Sequence, residues 1–237
     1  MAKIKWDEIG ARIYETGVRN CVLYVRKSDG TYEPGVAWNG LTKVNEAPEG
    51  ANANDIYADD IKYLTLRSTE NFKATIEAYT YPDEFNPCEG IIFPVPGVLL
   101  GQQPYSEFAI CYRTTVGNDV ENDAYGYKLH IIYNCLSSPS EKSFQTRNDS
   151  PEAASFSWDI SSIPILVDGY KPASLLVIDS TKVSPFDLSI IEDTLYGTEE
   201  TDPTLMLPDE IATVFRVGFL LNEDSDYILI GGDRICV

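Results

Sequence analysis

The sequence predicts a mainly β protein, an antiparallel sandwich or partly closed barrel with one α-helix in its C-terminal half and long loops. Three observations carry that prediction. Apolar and polar residues alternate with period two over most of the 237 residues. Clusters of turn-forming residues interrupt the alternation at short intervals. A capped segment with helical spacing stands out in one place, beginning at Ser184.

The elements follow in chain order. "NCVLYVRKSDGTYEPGVAW" gives a strand, a tight turn at Ser28-Asp29-Gly30 and a second short strand. "IKYLTLRS" from Ile61 and "FKATIEAYTY" from Phe72 read as a hairpin turning at Ser68 to Asn71. In the second of these, Phe72, Ala74, Ile76 and Ala78 share one face, with Lys73, Thr75 and Glu77 on the other. "SEFAICYRTTVG" and "YGYKLHIIYNC" form a further pair across the acidic loop Asn118 to Ala124. "EAASFSWDISSIP" turns Ala154, Phe156, Trp158 and Ile160 inward and Ser155, Ser157 and Asp159 outward, and "ASLLVIDST" adds a strand. In "SPFDLSIIEDTLYG", Ser184 is the N-cap, Pro185 the first helical residue and Gly197 the stop, with Leu188, Ile191 and Leu195 as the apolar stripe. "LPDEIATVF" offers a shorter helix, and "FRVGFLLNEDSDYILIGG" reads as two strands around a turn at Asn222 to Asp226. Residues 39–60 lack a strong period and read as a long loop, of the kind that in compact domains carries function. A single domain spanning 1–237 accommodates all of this, with 1–16 as an N-terminal arm.

Composition excludes several function classes. The formal charge of −19 repels nucleic-acid phosphates, so tight DNA or RNA binding is not expected. No apolar run reaches the ~18 residues of a membrane-spanning helix. The first residues carry charges where a secretion signal needs an apolar stretch. The five cysteines include no CxxC, and one histidine cannot complete a zinc set, so no metal or cofactor is expected. Cys111 and Cys135, inside apolar strands, read as small buried hydrophobes in a reducing compartment.

The residues that suggest chemistry are better explained without it, and no catalytic residue is expected. His130 has no nucleophile signalled beside it and reads as a packed or interface histidine. Asp59-Asp60, Asp83-Glu84 and Glu199-Glu200 are the pairs that 37 acids produce by chance. Asp119, Glu121 and Asp123 resemble the start of a calcium loop, but Ala124 and His130 stand where that loop needs Gly and Glu. "GIIFPVPGVLLG" lacks a phosphate-binding pattern and reads as an irregular crossing segment. Asn148-Asp149-Ser150 matches a glycosylation acceptor only formally. In "ATIEAYTYPDEFNPCEG", the carboxylates around Cys88 raise a thiol pKa, the reverse of what a nucleophile needs.

Several long strings, in order, resemble the major tail protein of long, non-contractile-tailed phages and prophages of Gram-positive bacteria. They are "GVAWNGLTKVNEAPEGA", "YADDIKYLTLRSTENFKATIEAYTYPDEFNPCEG", "FAICYRTTVGND", "GYKLHIIYNCLSSPSEKSFQTRNDSPEAASFSWDI", and "IDSTKV" followed by the helix and "LPDEI". The resemblance spans about Gly17 to Phe215 and leaves 216–237 as a C-terminal extension. It implies a tail-tube-like fold and a non-enzymatic virion protein. Copies would form hexameric rings, stacked around the tape measure protein, with a channel for genome delivery. Implied partners are further copies, the tape measure protein, and the distal tail and tail terminator proteins. DNA would meet the chain only in transit, and no membrane is implied. The implied location is the virion tail, with assembly in the host cytoplasm. Long loops such as 39–60 would reach neighbouring rings, and an acidic lumen would let a polyanion slide. The polar strand faces bearing Thr75 and Glu77, and Ser155, Ser157 and Asp159, are the candidate lumen lining. The alternatives are a tube protein of a contractile injection or secretion system, a carbohydrate-binding β-sandwich, and a hydrolase using two carboxylates.

Overall fold

The computed structural model describes residues 4–144, 146, 153–218, 227–230 and 233–236. The strands are β1 (Ile13–Val25), β2 (Val36–Trp38), β3 (Leu41–Glu46), β4 (Glu49–Gly50), β5 (Ala53–Ala58), β6 (Ile61–Arg67), β7 (Glu70–Asn71) and β8 (Lys73–Ala78). A short 3-10 helix, Asp83–Glu89, precedes β9 (Ile92–Val95) and β10 (Val98–Leu100). Then come β11 (Phe108–Asn118), β12 (Asn122–Ser137), β13 (Phe156–Ser162) and β14 (Leu175–Asp179), followed by α1 (Pro185–Tyr196) and α2 (Pro208–Gly218). A terminal pair, β15 (Tyr227–Ile230) and β16 (Asp233–Cys236), is antiparallel.

One antiparallel sheet organises the molecule in the order β2-β1-β11-β12-β13-β8-β3. Its two ends, β2 and β3, are joined directly by Asn39 and Gly40, so the chain itself bridges the gap and the sheet is a partly closed barrel. Gly40 makes that corner at φ +76°, and its carbonyl accepts from the Tyr79 amide at 2.9 Å. β14 lies beside the middle of β12, Lys128 to Ile132, while β13 takes its end.

Alternation sends the two faces of the central strands into two cores. Cys21, Leu23, Ile110, Tyr112, Ile132, Trp158 and Ile76 fill the barrel. Val22, Tyr24, Ala109, Cys111, Leu129, Ile131 and Tyr133 point the other way, against Leu188, Ile191 and Leu195 of α1 and Ile211 of α2. Between Tyr133 and Cys135 the strand changes sides through a one-residue register shift, with Asn134 at φ +44°. Ser184 caps α1, accepting from the Asp187 amide at 3.4 Å. The Tyr24 hydroxyl donates to the Leu195 carbonyl at 2.5 Å, and Tyr133 to the Met206 carbonyl at 3.0 Å. These bonds satisfy buried phenols and hold the helical layer to the sheet.

Several expectations need correction. Residues 39–60 are not a loop: they contain β3, β4 and β5, which pair with β8, β7 and β6. The result is one long hairpin from Leu41 to Ala78, turning at Asp59-Asp60, which both have positive φ. The predicted turn at Ser68 to Asn71 is therefore absent, and β6 folds back on β5 rather than pairing with β8. "GIIFPVPGVLLG" is a hairpin, β9–β10, not a crossing segment. The shorter helix offered by "LPDEIATVF" is present as α2, and it runs on to take up Val217 and Gly218. Of the strand expected at "VGFLL", Val217 and Gly218 are thus helical and residues 219–221 lie outside the described residues, as do the turn at Asn222 to Asp226 and the Asn148 acceptor. Ala154 and Ser155 precede β13 and are exposed, because the strand begins only at Phe156.

Candidate functional site

Of the residues singled out for the lumen, Thr75, Glu77, Ser157 and Asp159 share one strand face, and Ser155 does not. Across β3, β8 and β13, Val44, Ala74, Ile76, Trp158 and Ile160 face the barrel core. Asn45, Thr75, Glu77, Ser157 and Asp159 take the opposite face by alternation. Thr75 lies directly across from Asp159 and Glu77 across from Ser157. The Thr75 hydroxyl donates to Asp159 Oδ1 at 2.7 Å, and Lys43 Nζ reaches Glu77 Oε1 at 3.3 Å. Ser155 lies off the strand, just before it.

This wall is polar but not strongly acidic. Lys43 and Lys73 stand against Glu49, Glu77 and Asp159, an excess of one acid, so most of the chain's acidic excess lies elsewhere. Each lysine already has a carboxylate: Lys43 has Glu77, and Lys73 has Glu49 at 2.7 Å. A phosphate approaching this surface meets short neutral side chains and paired cations, which gives it little to bind.

The outer half of the long hairpin projects past the wall. β5 and β6 pair only with each other among the described residues, and every residue of β6 is exposed. Tyr57 and Tyr63 are 67% and 68% exposed, with Ile56, Ile61, Leu64 and Leu66 beside them. Apolar residues on both faces of a bare two-stranded arm are unusual in a lone molecule.

The residues weighed for chemistry are occupied by structural contacts. His130 is buried, stacked on Tyr112 with ring centroids 4.8 Å apart. Its Nδ1 is 3.0 Å from Glu46 Oε1 and its Nε2 is 3.1 Å from Thr114 Oγ1. Glu46 also accepts from the Tyr112 hydroxyl, while Glu15 accepts from Lys128 at 2.5 Å and Thr114 at 2.5 Å. The cluster fastens β1 and β3 to the mouth of the barrel. Asp119 accepts from the Gly10 amide and Asp123 from the Tyr14 hydroxyl, so both fix the N-terminal segment. Cys88 is fully buried; burial, reinforced by the charge of Glu89, pushes its thiol up to about 12. The larger cause is thus burial, which the sequence reading did not weigh. Trp38 and Trp158 pack against each other inside the barrel, 2% and 1% exposed, so neither presents an open ring face of the kind a sugar-binding module uses.

This cluster makes stability depend on acid. The hydrogen bond with His130, helped by Tyr112, holds Glu46 below its ordinary 4.5. Burial raises Glu15, but Lys128 and Thr114 more than offset it and leave it lowered. Carboxylates depressed on folding stabilise above their unfolded value, and that contribution is lost as pH falls through the folded value. Glu46→Gln is expected to cost about 2 kcal/mol at pH 7, as for a lost hydrogen bond to a charged group. In denaturant titrations from pH 7 to pH 3, the gap to the wild type should narrow below the ordinary 4.5 of a glutamate. A constant gap across that range would mean that the carboxylate charge has no part in it.

No family model matches the chain, and no curated protein matches it. Solved structures do. One is the sheath–tube complex of an extracellular contractile injection system, PVC, in the extended state, at 11% identity and TM-score 0.30, covering 68% of this chain and 88% of that one. Another is the tube-terminating cap of the anti-feeding prophage, at 12% identity and TM-score 0.35, covering 76% and 100%. A third is the PVC sheath/tube terminator in the extended state, at 10% identity and TM-score 0.29, covering 74% and 99%. Identities this low and TM-scores this small carry no argument about what this chain does.

Proposed function

We propose that the chain is a non-enzymatic structural subunit that assembles with its own copies into the tube of a phage-type tail. The rings are hexameric and stack around the tape measure protein, leaving a channel through which the genome passes. The observation that carries this is the β5–β6 arm, whose exposed tyrosines and aliphatic residues have nothing to cover them within the chain's described residues. A second copy covers such an arm without new chemistry, and pairing between copies removes free strand edges. The long strings resembling major tail proteins of non-contractile-tailed phages point the same way. In that assembly the distal tail and terminator proteins close the two ends, and DNA meets only the inner wall. The protein belongs to the virion tail after assembly in the host cytoplasm.

The wall of Thr75, Glu77, Ser157 and Asp159 is the surface we assign to the channel. Its paired lysines and short side chains suit passage rather than retention of a polyanion. Negative-stain electron microscopy of the purified protein across concentration and salt tests the reading. Salt screens the repulsion between copies at −19 each, so rings and hollow tubes should increase with ionic strength. Image reconstruction should then place Thr75 and Asp159 on the inner surface. A monomer at every concentration and salt would overturn the proposal, and tubes with those residues outside would overturn the channel assignment alone.

A further inference from the structure

We infer that the β9–β10 hairpin is an anchor by which one copy of this chain holds the next. The inference rests on the tail-tube reading and adds to it a specific surface. From Gly90 to Ser106 the sequence carries no Asp, Glu, Lys, Arg or His, in a chain whose formal charge is −19. Within that stretch Ile92, Phe93, Val95, Val98, Leu99 and Leu100 are each between 42% and 55% exposed. Successive strand residues point to opposite faces, so the hairpin is apolar on both. None of the six belongs to either core, and among the described residues β9 and β10 pair only with each other.

The hairpin is presented on a firm base. Gly90 follows the 3-10 helix at φ +68°, and its amide bonds the Pro87 carbonyl. The Ile91 amide bonds the Asn86 carbonyl at 2.9 Å, and the Gln103 amide returns to the Gly90 carbonyl at 2.9 Å. A Cβ on Gly90 would lie 2.6 Å from the Gln103 carbonyl oxygen, so the two strands leave the body at a close, fixed approach. Phe85 and Cys88 bury that base in the barrel core. An element fixed in this way loses little further freedom when it docks.

Charge selects the occupant. Two copies at −19 repel each other wherever their acids meet, so contact between them favours an uncharged surface. This hairpin supplies one. A lipid surface is disfavoured: the charges flanking the stretch are Glu89 and Glu107, not the lysines and arginines that negative headgroups attract. The hairpin exposes a few hundred Å² of apolar surface at most, less than the ~1,600 Å² of a standard interface. It is therefore one of two or more contacts, with the β5–β6 arm as another. Distinct patches used head to tail generate a ring when the rotation closes.

The double variant Val98→Asp/Leu100→Asp tests this. Both side chains lie outside the cores, so its thermal melt and circular dichroism should match the wild type. Sedimentation velocity should show its assembly threshold raised at least tenfold in concentration. Hydrogen–deuterium exchange on the wild type should show the amides of Ile92–Leu100 slowing on assembly, a reading that stands even if the variant folds poorly. Wild-type assembly by the double variant, or unchanged exchange in the hairpin, overturns the anchor and leaves the tube reading intact. A wild type that never associates overturns both. Wild-type binding to phosphatidylcholine vesicles that the variant loses would assign the hairpin to lipid and overturn the anchor.

Discussion

Trp158→Ala is expected to destabilise the protein by about 3–5 kcal/mol, the range for emptying a large aromatic site in a core. Trp158 is 1% exposed and sits among Trp38, Phe85, Tyr81 and Phe156, with ring centroids 5.4, 5.3, 5.3 and 5.9 Å away. Most of these contacts are edge-to-face, which adds to the burial. The indole N–H donates to Glu89, whose other oxygen accepts from Lys142 at 2.8 Å. Lys142 lies over the Tyr81 ring at 4.8 Å. Removing the indole therefore opens a cavity and also takes one donor from a buried carboxylate. Trp158→Phe separates the two effects: it fills most of the space but leaves Glu89 with Lys142 alone, at a cost of about 1–3 kcal/mol. Equilibrium urea unfolding followed by circular dichroism measures both. A loss below ~1 kcal/mol for the alanine variant would mean that the barrel interior repacks far more freely than close-packed cores do.

The barrel strands were legible because burial is two-sided and regular. Phe72, Ala74, Ile76 and Ala78 are buried at alternate positions, as are Trp158 and Ile160, and alternation alone reveals such a face. The first helix was legible from Ser184, Pro185 and its stripe, all of which fall where capping chemistry places them. The long hairpin was not. Its outer half is exposed on both faces, so β5 and β6 have no core to impose a period, and Asp59-Asp60 lacks the glycine that usually marks a two-residue turn. Ser68 to Asn71 look more like a turn, yet Glu70 and Asn71 pair with Gly50 and Glu49. The β9–β10 hairpin was hidden by Pro94 and Pro96, which argue against strands but are tolerated where no ladder partner is lost. Both misread hairpins are exposed along their strands, so no core within the described residues imposes a period on them.

The wall and the β9–β10 hairpin also differ in residue type. Glu77, Thr75 and Asp159 were found as a strand face because their neighbours Ile76, Trp158 and Ile160 are buried. Their partial charge balance was not predicted, since Lys43 joins them only through the β3–β8 pairing that the loop reading had missed. Charge across a sheet is a property of register, and register was the part of the sequence least determined locally.

Arg113→Ala is expected to cost about 3–5 kcal/mol, as for breaking a partly buried ion pair from one side. Arg113 leaves β11 on the helical side of the sheet, and its guanidinium lies 4.5 Å from the Tyr127 centroid and 4.7 Å from that of Tyr196. One terminal nitrogen is 2.7 Å from Glu192 on α1, and Nε donates to the Tyr196 hydroxyl at 3.1 Å. The Tyr127 hydroxyl donates to the same carboxylate at 2.5 Å; burial first, and that bond second, push its pKa up to about 12. The arginine thus ties β11, β12 and α1 together through stacking, charge and hydrogen bonds at once. Arg113→Lys keeps the charge but loses the planar stack and the Nε bond, so its cost should fall between the wild type and Arg113→Ala. Glu192→Gln, combined with Arg113→Ala in a double-mutant cycle, isolates the pair, and the two losses should be strongly non-additive. Additive losses would mean that Arg113 acts through the aromatic rings and that the carboxylate contributes little to holding α1 on the barrel.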